Sequence, residues 1–522
     1  MRALPAASGH RPDGATTTAA APARPAPAAP PAGTSAAGRR PELDVMRALV
    51  VAGLVVFHSA VVFAAGASWF VKDPQPDPGF TVFLLWGSLW GMPLLFLVSG
   101  MGVRYALRTR SAGSFARERL ARLGVPFAAG LVVLVPPMFY LERLGQPGFH
   151  QPYWRFWLGF ANLPAIARWL LPRGTWTSGG INYDPAHLWF LYVLLVYSLA
   201  LLPLFTYLRG PGGARLTGQI AGFTQRHPVL ALSLAAAPMM VTEAVFRPDV
   251  NTGGWERLAY VFPFGYGFLI ASDRRFEAAL RRARRAAMAS ALVATAILVA
   301  WAGAMQAGGG LSAGVPAGWA ALQGVAGQAW IVAILGFAGT LTTRWGKRPV
   351  ITAAPRAGRL GSPWGRAARY ANQAVLPFYV LHEPVIVAAA WVLVRWDAPV
   401  PAKYATLVLV SLAATLALYE AGVRRYRLTR LLFGMKPPDE PARAKGRKRA
   451  AGAGGPAGTA QPMRKTPVTV PSTARAAVMA ADPPHRPGPR CWCWRCSPRS
   501  RGPGHVDGWL QRCQPGCPGD RC

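Results

Sequence analysis

Residues 41–63 read PELDVMRALVVAGLVVFHSAVVF. From Val45 onward the run is apolar apart from Arg47 and the His58-Ser59 pair, and it is long enough to cross a membrane as a helix. Arg47 and His58 are eleven residues apart. At about 100° per residue the separation is roughly 1100°, three turns and about 20°, so both side chains leave nearly the same face. The rise between them is roughly 16 Å, about half a bilayer. Arg47 then sits near one membrane surface and His58 near the middle. Ionisable groups at such depth are costly and mark functional sites by default. A plainer reading of each residue alone also stands: Arg47 marks the helix start and reaches lipid headgroups, and His58 makes a helix–helix hydrogen bond.

The rest of the chain shares this character. Of 522 residues, 52% are hydrophobic and 15% charged, with 19 Trp. That composition, with long apolar runs from about residue 43 to 423, predicts an all-α polytopic integral membrane protein. The formal net charge is +36, from 57 Lys and Arg against 21 Asp and Glu. Most of this excess lies in short loops and in the tails, so membrane topology explains it, and no nucleic-acid module or nucleic-acid partner is expected.

Ten spans are predicted, at about 43–66, 80–103, 123–142, 187–208, 228–246, 258–272, 287–307, 318–342, 373–394 and 402–422. The membrane domain covers 39–426. Residues 1–38 lack an apolar signal core and read as a disordered tail, as do the basic residues 436–522. All six cysteines, Cys491, Cys493, Cys496, Cys513, Cys517 and Cys522, fall in that second tail with no recognised metal spacing, and no metal is expected. The loops after spans two, four, six and eight carry more than twice the Lys and Arg of the other five, which places them and both termini in the cytoplasm of a bacterial cell. Anionic membrane lipids would attract the basic tail.

Beyond Arg47 and His58, four groups could carry chemistry. His187 re-enters the membrane in Asp184-Pro185-Ala186-His187, as a substrate-side group or as part of an aromatic belt. His382 lies within a span in His382-Glu383-Pro384, where the proline frees a carbonyl and makes an inward-facing, hydrated kink, or where the group forms a structural polar knot. Glu243 stands near the outer end of span five, where it could orient a histidine, bind a substrate hydroxyl, or simply face the interface. Arg104, Arg119 and Arg122 flank spans two and three on the cytoplasmic side. Arg119 and Arg122 share a helix face and could grip phosphates, although the positive-inside rule also puts arginines there. A cationic cytoplasmic mouth with a mid-membrane histidine beneath it suits a reaction whose anionic donor arrives from the cytoplasm and whose acceptor sits outside, and equally a proton-coupled transporter or flippase.

Taken together these motifs resemble the membrane acyltransferase 3 family. Arg47 and His58 with Glu42-Leu43-Asp44 before them resemble its first-span signature, and Phe96-Leu97-Val98-Ser99-Gly100 followed by Arg104 its second-span ending. Arg119-Leu120-Ala121-Arg122 resembles its RxxR entry to span three. His187-Leu188-Trp189-Phe190 and Pro377-Phe378-Tyr379-Val380-Leu381-His382 are similar to the branch that holds the glucan succinyltransferase OpgC.

The resemblance implies an enzyme of about ten transmembrane helices that moves an acyl group, acetyl, succinyl or similar, from cytoplasmic acyl-CoA to a hydroxyl of an extracytoplasmic carbohydrate or related acceptor. It implies that Arg47 and His58 are the catalytic pair and that Arg104, Arg119 and Arg122 contact the donor. His187, His382 and Glu243 would then line the acceptor side or orient the base. In this scheme neutral His58 acts as general base on the acceptor hydroxyl.

Overall fold

Apolar runs of this length must satisfy every backbone group internally, and the chain does so as helices. The computed structural model describes residues 41–66, 69–160, 176–178, 181–183, 185–246, 255–307, 316–345 and 363–435. The expected tails at 1–38 and 436–522, the six cysteines, Asp184, and the basic stretch from Lys347 to Arg359 lie outside the described residues.

The helices are α1 (Pro41–Val61), α2 (Pro78–Leu107), α3 (Ala112–Leu144), α4 (Tyr153–Phe160), α5 (Ala186–Ala200), α6 (Leu202–Arg209), α7 (Pro211–Arg226), α8 (Pro228–Val245), α9 (Val261–Ile270), α10 (Arg274–Ala307), α11 (Ala317–Trp345), α12 (Pro363–Leu393), α13 (Val400–Leu418) and α14 (Arg427–Leu432). The strands among the described residues are β1 (Trp176–Ser178) and β2 (Ile181–Tyr183), a short antiparallel hairpin. Among the described residues, seven helices are long and apolar enough to cross a membrane, and an eighth span forms if α5 and α6, bent by 49°, count as one. Two shorter apolar helices, Met46–Val61 and Arg257–Ile270, complete the ten predicted segments. Three predicted starts differ by ten residues or more. Helix α3 begins at Ala112, α10 at Arg274 and α12 at Pro363; before α3 and α10 the arginine-rich stretches are good helix formers and continue the helix beyond the apolar part.

Capping residues fix the helix entries. Asp77 accepts from the Gly79 amide at 2.7 Å before α2, and Ser111 accepts from the Ser114 amide at 3.3 Å before α3. Within α3 a π-type turn at Leu120–Gly124 precedes Pro126, and the helix breaks again at Leu134 before Pro136.

Helix α1 is central and packs on α12, α2 and α13, while α2 packs in turn on α9 and α11. Small residues permit the closest approach. A Cβ on Gly100 would run into the carbonyl oxygen of Phe264, and one on Gly267 into that of Leu97, so α2 and α9 meet backbone to backbone. The outer surface exposes Leu292, Val293, Ile297 and Leu409, the exterior of a protein solvated by lipid.

Beyond Val61 the chain stays inside. Val62, Phe63, Ala64, Val71 and Asp73 are all buried. Lys72 Nζ donates to the Val61 and Ala64 carbonyls and so caps the end of α1. Asp73 Oδ2 lies 2.8 Å from Lys403 Nζ on α13, a buried ion pair. This segment roofs the last turn of α1, which carries His58.

Candidate active site

Three helices bring three histidines and a glutamate together. His58 comes from the last turn of α1, His187 from the first turn of α5, and His382 and Glu383 from α12, beside Pro384. Glu383 Oε2 lies 3.0 Å from His58 Nδ1 and 3.4 Å from His187 Nδ1. The ring of His382 stands 5.1 Å from that of His58 and 5.2 Å from that of His187, centre to centre.

Backbone carbonyls locate some of the protons, because a carbonyl only accepts. His187 Nε2 donates to the Val380 carbonyl at 3.0 Å. His382 Nδ1 donates to the Tyr379 carbonyl, which leaves its Nε2 with a lone pair. The Tyr379 hydroxyl donates to the carbonyl of His187 and stitches that turn to α12. The carboxylate and the two Nδ1 atoms are close but out of line, so His58 Nδ1, His187 Nδ1, Glu383 Oε2 and His382 Nε2 are all buried without an aligned hydrogen bond. Four such atoms in one cluster are costly to keep, which is the mark of a site built for chemistry.

Access separates the members. The His58 side chain keeps 20% of its surface exposed, against 4% for Glu383 and 2% for His187. His58 is therefore the imidazole a substrate can reach. Donation of the His58 Nδ1–H to the Glu383 carboxylate would leave His58 Nε2 as a base, the arrangement in which a carboxylate orients a catalytic histidine. His58, His382 and Glu383 also place three potential metal-ligand atoms within 4.8 Å of one another, so these are the residues that could hold an ion.

At the other end of α1, Arg47 Nη2 donates to the Val98 carbonyl at 2.9 Å, in a space that Gly102 leaves open. Arg119 lies over the Phe115 ring at 4.9 Å and feels the charges of Arg47, Arg122 and Arg110. Arg122 bonds the Gly434 carbonyl at 3.4 Å and faces Glu118 at 3.6 Å. Arg104 belongs to a second group, with Arg108 and Arg209 around it. Its Nε donates to Ser272 Oγ at 2.9 Å.

A family model described as an acyltransferase domain, acyltransferase 3, matches residues 40–420. The chain belongs to the acyltransferase 3 family. No curated protein and no solved structure matches it. The match covers every element that builds the histidine cluster and the Arg47 group, so both lie within the acyltransferase domain.

Of the site residues expected from the sequence, the acyltransferase brings His58, His187 and His382 into one cluster and Arg47, Arg119 and Arg122 into another. Arg104 stands apart from the second cluster. Glu243 lies on the second half of α8, which packs on α11 and on the turn Trp255–Tyr260, whereas the histidines ride on α1, α5 and α12. The carboxylate that meets the histidines is Glu383, which sequence reasoning quoted but did not assign. Its signal was available: it is the one acidic residue between Tyr370 and Leu393, inside an apolar helix. Tyr379 was missed likewise. The FLVSG glycine, Gly100, has a packing role against α9.

Proposed function

We propose that this membrane acyltransferase moves an acyl group, acetyl, succinyl or similar, from acyl-CoA on the cytoplasmic side to a hydroxyl of an extracytoplasmic carbohydrate or related acceptor. One observation carries the reading: the accessible imidazole, His58, is backed by the buried Glu383 and shares a face of α1 with Arg47 and its group of arginines, roughly 16 Å along the helix.

Acyl-CoA, the co-substrate, presents its phosphates to Arg47, Arg119 and Arg122, while Arg104, in its separate group with Arg108 and Arg209, adds positive charge on the donor side. The pantetheine arm spans the distance to His58. His58 Nε2 takes the proton of the acceptor hydroxyl as its oxygen bonds to the thioester carbonyl carbon. The C–S bond then breaks, and the imidazolium returns the proton to the departing CoA thiolate. Glu383 stabilises the imidazolium formed in between, and His187 and His382 shape the acceptor side. The arginine-rich loops face the cytoplasm with both termini, in a bacterial cytoplasmic membrane. The likeness of the His187 and His382 motifs to the glucan-modifying branch favours a glycan acceptor.

Sealed vesicles of both orientations test the sidedness. Labelled acyl-CoA added outside inverted vesicles should acylate acceptor trapped within, and the same donor outside right-side-out vesicles should not. The reverse pattern would overturn the orientation.

A further inference from the structure

Helix α12 contains two prolines, Pro377 and Pro384. A proline has no N–H, so it leaves the carbonyl four residues earlier without its helical donor. For Pro384 that carbonyl is Val380, and this is the oxygen that receives His187 Nε2 at 3.0 Å. The turn that carries His187 is itself held in an unusual shape. Ala186 has a φ of 49°, in the left-handed region that non-glycine residues rarely adopt, and the Tyr379 hydroxyl ties the His187 carbonyl to α12.

We propose that Pro384 is a positioning residue: by withholding a backbone N–H from Val380 it reserves that carbonyl for His187 Nε2–H, and this turns His187 Nδ1 onto Glu383 and aims the carboxylate at His58. The proposal rests on the reading of His58 as the base. With Nε2–H committed to the Val380 carbonyl, the direction of the His187 ring is fixed, and its Nδ1 stands 3.4 Å from Glu383 Oε2. The same Oε2 faces His58 Nδ1 at 3.0 Å. Substituting alanine for Pro384 restores an N–H that competes for Val380, frees the His187 ring to turn, and lets Glu383 drift from His58. Such outer partners, which fix the tautomer and direction of an imidazole, change rates without touching substrate.

The test joins a spectrum to kinetics. Protein labelled with ¹⁵N-histidine in nanodiscs is compared with His187→Gln to assign His187. The wild type should show His187 protonated and hydrogen-bonded at Nε2, and Pro384→Ala should lose that signature. Pro384→Ala should also lower kcat for acyl transfer by roughly ten- to a hundredfold with both KM values within about twofold, while Pro377→Ala, which removes the other proline, stays near the wild type. A wild-type spectrum with His187 bare at Nε2 overturns the proposal. So does a fully active Pro384→Ala, or an equal loss in both proline variants, which would mean a general kink. A Pro384→Ala protein that fails to fold leaves the wild-type spectrum to decide. That spectrum needs no turnover, so a failure of the acyl-transfer reading is distinguishable from a failure of this one.

Discussion

Glu383→Gln is the sharpest perturbation of the site, because it keeps the volume of the side chain and removes only its charge. The carboxylate faces His58 at 3.0 Å. Two unit charges at that distance attract by about 5.5 kcal/mol at an effective dielectric constant of about 20, which is the gross figure once His58 becomes an imidazolium. Competing solvation at the partly exposed His58 reduces it, and hydrogen bonds to charged groups are worth about 1.5–3 kcal/mol net. At 1.36 kcal/mol per tenfold, that predicts a loss of roughly 10- to 150-fold in kcat. The loss should appear in kcat at saturating donor and acceptor, since Glu383 touches neither substrate in this account. The assay is steady-state acyl transfer by protein in nanodiscs, with folding monitored by thermal unfolding. A well-folded Glu383→Gln protein with wild-type kcat would refute the role given to the carboxylate. A loss confined to KM would instead move Glu383 into the acceptor site.

Three further outcomes are expected. Gly102→Ala puts a Cβ into the space of the Arg47 guanidinium, so it should raise the KM for acyl-CoA several-fold while kcat changes little, and an unchanged KM would remove Arg47 from the donor site. Lys403→Met leaves Asp73 buried and unpaired, which should destabilise the protein by about 3–5 kcal/mol and lower its unfolding temperature; no change in that temperature would show that the roof over α1 does not depend on the pair. Treatment with a strong chelator should leave the transfer rate unchanged, because the cluster is read as a proton-transfer device. A loss restored by zinc would reassign His58, His382 and Glu383 as metal ligands.

The helical segments were legible because lipid leaves a chain little choice: apolar runs of about twenty residues become helices. The Arg47–His58 spacing along α1 was legible for the same reason, being a property of one helix. The cluster was legible only in part. His58, His187 and His382 each stood out as an ionisable group within or at the edge of an apolar run. Their meeting depends on α1, α5 and α12 packing together, which no local pattern specifies. The same gap left Glu383 without a role while Glu243, near a span end where carboxylates are cheap, was weighed as a histidine-orienting group, a hydroxyl-binding group or an ordinary interfacial carboxylate; Glu383 sits where carboxylates are costly. The kink at Pro384 was expected to leave a hydrated carbonyl. The Val380 carbonyl is instead taken by His187, a bond between residues far apart in the chain.

The most direct measurement is thiol release from acyl-CoA by purified protein in nanodiscs. Acetyl-CoA and succinyl-CoA would each be supplied with and without candidate glycans, and His58→Ala would run beside the wild type. The account predicts release that requires an acceptor and falls by roughly 10²- to 10⁴-fold in His58→Ala, the contribution of a positioned general base, with the variant inserted and folded as the wild type is. Full activity in a correctly inserted His58→Ala protein would contradict it.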